Sequence, residues 1–295
     1  MKALAAESRP SGLHSKANYI SFLAMTISNI SVPGGTICVE AAGEGPLVVC
    51  SPAMGDSRDA FAPFSRRLVE AGFRVASADL RGHGDSSTGF GSYGDEPTAQ
   101  DMLAVVDELG GGPAILAGAS MSAAAATIAA GKEPEKVSGL ILFGPFLRGA
   151  SNPIAQLALR LALARPWGPA IWRLHSRRLW PGLGDQASAR ASRLSSILKR
   201  KGNWAAFSKT TRTDHSVVAP WFNRVTAPAL VVMGAQDPDW KDPRAEASWA
   251  ASNFAQGSFV MVERAGHAPM LESPDAAARE AIAFANRIGF GGTHA

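Results

Sequence analysis

The stretch "PAILAGASMSA", residues 113–123, decides the fold. Its first half is a short uncharged apolar run, the pattern of a strand buried on both faces of a sheet. Its second half is built of small residues around Ser120. Small residues at a strand exit have a plain use, which is close packing. They also suit a serine nucleophile held on a sharp strand-to-helix turn. The neighbours that Ser120 finds elsewhere in the chain separate the two readings.

Working outward, similar short runs recur at helical intervals: 36–42, 46–53, 73–80, 114–120, 137–145, 228–235 and 257–265. Helical patterns fall between them, at 58–71, about 96–109, 121–131, 242–255 and 274–288. The last opens with Ser273 as an N-cap and Pro274 at the first helical position. Strand and helix in alternation predict a mostly parallel sheet covered by helices on both faces. The alternation fails over residues 146–225, which read as helical, rich in arginine and tryptophan, and inserted over the sheet. Five of the seven tryptophans lie there: Trp167, Trp172, Trp180, Trp204 and Trp221. The expected organisation is a core of residues 25–145 and 226–295, a helical lid of 146–225, and a loose extension of 1–24.

In a parallel sheet, ligands sit at the carboxyl ends of the strands. Three reactive side chains follow strands: Ser120, Asp237 and His267. Serine, acid and histidine in that chain order match one triad geometry. Asp239 and Asp242 stand close enough to serve as helix caps or as the acid itself.

These segments carry a resemblance. "SPAMGDS" (51–57), "DLRGHGDS" (79–86), "GASMS" (118–122), "GAQDPDW" (234–240) and "AGHAPMLESP" (265–274) resemble the motifs of α/β-hydrolase-fold proteins over residues 30 to 290. The resemblance implies an α/β-hydrolase fold, with a mostly parallel sheet of about eight strands, helices on both faces and a helical lid insertion. It implies Ser120 as nucleophile, His267 as base and Asp237 as its orienting acid. The backbone N–H groups of Ala53 and Met121 would form the oxyanion hole. It also places the second strand beside the fourth, which keeps Cys38 and Cys50 apart as free thiols. Two positions depart from the usual pattern. Ser122 stands where the elbow commonly ends in glycine, and Ser51-Pro52 replaces the common His-Gly.

Met54, Met270 and Trp167 are the expected lining of an apolar substrate pocket. The expected activity is hydrolysis of a small or medium apolar carboxylic ester through an acyl-enzyme. C–C bond hydrolysis by the same triad and a non-catalytic small-ligand receptor are the alternatives. A haloperoxidase-like side activity is also seen in such scaffolds. Dehalogenases and epoxide hydrolases of this fold carry aspartate at the elbow, where this chain has Ser120. This mechanism calls for no cofactor and no metal. His175 and His215 read as surface or lid residues, and Asp79, Arg81, His83 and Asp85 as a loop network.

Composition sets the remaining bounds. Hydrophobic residues make up 46% of the 295, enough for one large core. No apolar stretch is long and clean enough to span a bilayer. Two isolated cysteines fit a reducing cytoplasm. Residues 151–225 hold 13 Lys/Arg against Asp185 and Asp214, a net of +11, which leaves −7 for the remainder. A solvated face is the first reading of that charge, attraction of an anionic substrate the second, and contact with an anionic membrane surface the third. Nucleic acid is not expected, because no recognition module accompanies the arginines.

Overall fold

The computed structural model describes residues 25–110, 112–149 and 153–291. The extension expected over 1–24 lies outside them. Eight strands, β1 (Thr26–Val32), β2 (Gly35–Ala42), β3 (Leu47–Ser51), β4 (Arg74–Ala78), β5 (Ala114–Ala119), β6 (Val137–Phe143), β7 (Ala229–Gly234) and β8 (Gly257–Val262), form one sheet. Their order is β1-β2-β4-β3-β5-β6-β7-β8. β1 and β2 are antiparallel to their neighbours, and every pairing from β4 onward is parallel.

All seven runs read from the sequence form strands. β1 joins them at the edge, where alternating burial suits a strand with one wet face. The central strands β3, β5 and β7 are buried at every residue, as their unbroken apolar sequences require. Cys38 on β2 and Cys50 on β3 are buried free thiols with β4 between their strands.

Six helices flank the sheet: α1 (Ala62–Glu70), α2 (Asp95–Leu109), α3 (Met121–Lys132), α8 (Pro243–Ser252), the single turn α9 (Pro269–Glu272) and α10 (Pro274–Arg287). α2, α3 and α8 cover one face, and α1 and α10 the other. α3 reads "MSAAAATIAAGK" and is buried at every position except Lys132. Alanine explains this: without bulk, the helix seats close against the strands on one side and α2 on the other.

Between β6 and β7 the chain leaves the sheet and builds α4 (Pro153–Ala162), α5 (Gly168–Ser176), α6 (Gln186–Leu198) and α7 (Asn203–Thr210). Leu163, Leu198, Trp204 and Phe207 make its own small apolar cluster, against which Met54 and Trp172 pack. Arginines fasten it to the acidic body: Arg190 to Asp56 and Asp59, Arg193 to Asp59, and Arg200 to Asp85.

Candidate active site

Ser120 sits at the turn between β5 and α3 with φ 56° and ψ −118°. Among the described residues it is the one non-glycine at positive φ. A side chain held there stores strain of about 1–3 kcal/mol, which the surroundings must overcome. They do so through the backbone. The Ser120 N–H donates to the Phe143 carbonyl at 2.8 Å, and its carbonyl accepts from Ala123 and Phe146 at 3.1 and 3.3 Å. The turn also depends on Gly118, where a Cβ would lie 2.2 Å from the Ser122 carbonyl oxygen.

His267 follows β8 and lies buried beside the end of β6. A Cβ on Gly144 would come within 3.1 Å of its Nδ1 and 3.2 Å of Asp237 Oδ2. Asp237, after β7, accepts from His267 Nδ1 at 2.9 Å and has a fully buried side chain. Asp239 Oδ2 is 3.5 Å from the same nitrogen. Asp242 caps α8 instead, accepting from the Ala245 N–H at 3.0 Å. Burial opposes the imidazolium, but the carboxylates of Asp237, Asp239 and Glu272 outweigh it and hold His267 up at about 9.

Phe146 links serine and histidine. Its N–H bonds the Ser120 carbonyl, and its ring centre stands 5.8 Å from the His267 ring and 4.7 Å from Trp240. No hydrogen bond among the described residues joins the Ser120 hydroxyl to the imidazole. Met121 opens α3, so its N–H has no helical partner and points with the positive end of the helix dipole. The Ala53 N–H is likewise unbonded among the described residues.

The two departures from the common motif meet in space. The buried Ser122 hydroxyl donates to the Pro52 carbonyl at 2.6 Å and lies 3.1 Å from the Ser51 hydroxyl. The loop bearing Ala53 is thereby tied to the first turn of α3. Sequence alone showed only that Ser122 is small; 70 residues separate it from Pro52.

Glu272 has a comparable role that the sequence did not signal. Its carboxylate accepts from the Gly266, Ala268 and Gly182 N–H groups at 2.9, 2.9 and 2.8 Å. It therefore brackets His267 on both sides and fastens that loop to the 146–225 segment. The Leu179 carbonyl adds a bond from the His267 N–H at 2.8 Å.

Met54, Met270, Trp172 and His267 line a small apolar recess beside Ala119. Trp167 does not belong there. It is 53% exposed on the outer surface, with its indole N–H bonded to the Leu161 carbonyl. Trp172, one helical turn and a residue further on, faces inward in its place and packs on Gly55, where a Cβ would meet the indole at 2.5 Å. The buried indole N–H groups of Trp172 and Trp240 have no partner among the described residues.

His175 is exposed, as expected. Of the two expectations for His215, surface or lid, the surface one fails: within the 146–225 segment it is 7% exposed, and its Nδ1 lies 2.9 Å from Asp95 at the start of α2. Its ring stands 5.8 Å from Phe146. Asp79, Arg81, His83 and Asp85 do form a loop network. Asp79 accepts from the Arg58 and Asp85 N–H groups, Arg81 pairs with Asp101, and His83 Nδ1 bonds the Arg81 carbonyl.

Residues 48–280 match the model of the alpha/beta hydrolase family, and the chain belongs to that family. Over 202 residues it is 25% identical to 3-oxoadipate enol-lactonase 2 of Acinetobacter baylyi, covering 68% of this chain and 74% of that one. It is 29% identical over 196 residues to a 2-hydroxy-6-oxononadienedioate/2-hydroxy-6-oxononatrienedioate hydrolase of Burkholderia vietnamiensis, covering 62% and 68% of the two chains. A thermophilic esterase from Thermogutta terrifontis superposes with a TM-score of 0.75 at 23% identity, over 89% of this chain and 99% of that one. That likeness is one of fold.

Proposed function

We propose that this protein is a serine hydrolase that cleaves a small or medium apolar carboxylic ester or lactone through an acyl-enzyme on Ser120. The observation that carries this reading is the strained Ser120 on the same strand-end edge as a buried His267–Asp237 pair. The Ser120 hydroxyl attacks the carbonyl carbon, and its proton passes to His267 Nε2. The oxyanion rests between the N–H groups of Ala53 and Met121. Loss of one such donor typically costs ~10²–10³ in rate. Collapse expels the alcohol, which takes the proton back from His267. Water, activated by the same imidazole, then releases the acid. Asp237 holds the ring and its positive charge throughout.

The recess of about 20 Å³ beside Met54, Met270 and Trp172 is mostly apolar, which favours an uncharged acyl or alkyl group once the covering side chains shift to admit it. Residues 146–225 act as the lid that closes over it. A second reading is supported by the relative whose printed substrate, a hydroxy-oxo-dienedioate, has no ester linkage. The same three side chains would then cleave a carbon–carbon bond next to a carbonyl.

Intact mass after treatment with a fluorophosphonate tests the nucleophile. One adduct mapping to Ser120 is expected, together with turnover of p-nitrophenyl butyrate that Ser120→Ala lowers by about 10⁴-fold or more. Turnover untouched by that substitution would end the proposal. Single acylation with retained product would favour a ligand receptor.

A further inference from the structure

We infer that the outer face of the segment between β6 and β7 docks this protein on an anionic lipid-bilayer surface. Six of the ten large apolar side chains that stand exposed among the described residues fall within residues 157–174. Leu157, Leu161 and Trp167 are each more than half exposed. Every side chain from Leu157 to Leu161 is exposed. On α5 the two faces divide by helical spacing. Trp172 and Ser176 turn toward the recess, while Ile171, Arg173, Leu174, Arg177 and Arg178 turn outward.

The charge on this face has one sign. Residues 149–184 contain no aspartate or glutamate. Arg160, Arg165, Arg173, Arg177 and Arg178 are exposed, and among the described residues none of them pairs with a carboxylate. Arg160, Arg165 and Arg212 border an open groove of about 240 Å³ together with the hydroxyl-bearing Ser208 and Thr211. Such a groove fits a phosphate headgroup.

Those observations decide among occupants. A merely solvated face has no use for a row of exposed leucines and a tryptophan. Substrate steering needs arginines toward the recess, and these point away from it. A second copy seated by twofold symmetry would set this acid-free face against itself. Residues 1–24 carry Lys2, Arg9 and Lys16 against Glu7 alone, the same sign as the patch. A bilayer with anionic headgroups answers both features at once: phosphates for the guanidinium groups and acyl chains for the leucines. Among the described residues no helix is long and apolar enough to cross a membrane, so the contact is peripheral.

Co-sedimentation of the full chain with vesicles tests the inference. Binding is expected to vesicles of phosphatidylglycerol and phosphatidylcholine in equal parts, not to phosphatidylcholine alone, and should weaken as sodium chloride rises. That salt series needs no variant. Arg160→Ala with Arg165→Ala should lower the partition coefficient on the order of 25-fold, at about fivefold per arginine near the surface. Leu157→Ser with Leu161→Ser should reduce it comparably while keeping every charge, with the circular-dichroism spectrum unchanged. The inference is overturned if neither vesicle binds, or if both double variants bind like the original. It is also overturned if deletion of residues 1–24 abolishes binding, or if the chain sediments as a dimer that Leu157→Ser with Leu161→Ser dissolves.

Discussion

The strand-end edge and the segment that covers it use charge in opposite ways. At the edge, His267 and Asp237 are buried, Glu272 is half-buried, and all three are held by short bonds. His267 is fixed by Asp237, its flanking amides by Glu272, and the Ala53 loop by Ser122. In the segment, the arginines divide into two sets. Arg190, Arg193 and Arg200 face the body and meet its acids, while Arg160, Arg165, Arg173, Arg177 and Arg178 are exposed and, among the described residues, pair with no carboxylate. The net of +11 read from composition therefore includes at least two populations in different surroundings. One fastens the segment to the body, and the other lies exposed on its outer face.

The sharpest test of the edge is the identity of the acid. Asp237→Asn should lower kcat for p-nitrophenyl butyrate by about 10⁴-fold, because the imidazole loses its orienting carboxylate. Asp239→Asn, 3.5 Å from the same nitrogen, should cost far less. Equal losses would mean the two carboxylates share the role. The fastening set comes next. Arg190→Ala strands the buried Asp56 and should lower unfolding stability by about 3–5 kcal/mol in urea titrations. The exposed pair of Arg193 should be worth about 0–1 kcal/mol by the same measurement. Similar values for both would erase the distinction drawn between the paired arginines.

Glu272→Ala should reduce kcat on the order of 10²-fold with a smaller change in KM, since it frees the backbone on both sides of His267. A change confined to KM would instead assign Glu272 to the covering segment through Gly182.

The pH profile is a separate test of the edge. Only the neutral imidazole accepts the serine proton, and His267 is held up at about 9. kcat/KM should therefore climb about tenfold per pH unit below that value and level off above it. Asp239→Asn removes a charge that favours the imidazolium, so the midpoint should move down. A profile already flat at neutral pH would show that Asp237 and Asp239 do not raise the base.

Much of the fold was legible in the chain because its signals are local. A strand buried on both faces must be apolar throughout, as "AILAGA" is, and a helix buried on all sides favours small residues, as α3 does with alanine at six of its twelve positions. β1 was less visible: its polar-apolar "TISNISV" has one wet face and no motif. The candidate triad was legible for a related reason. In a parallel sheet, residues that follow a strand lie near the ligand edge, so Ser120, Asp237 and His267 could be picked as candidates from their position in the chain.

What depends on distance through space was not legible. Ser122 meets Pro52 across 70 residues and His215 meets Asp95 across 120, with no spacing rule to connect either pair. Trp167 and Trp172 differ by a little over one helical turn, so the rotation of α5 alone decides which indole lines the recess and which faces outward. By itself the sequence determined the alternation of strands and helices and the order of the reactive groups, because periodicity and chain position encode both. Only the tertiary structure decided which arginines pair, which tryptophan turns inward and what holds His267, because those follow from elements brought together by folding.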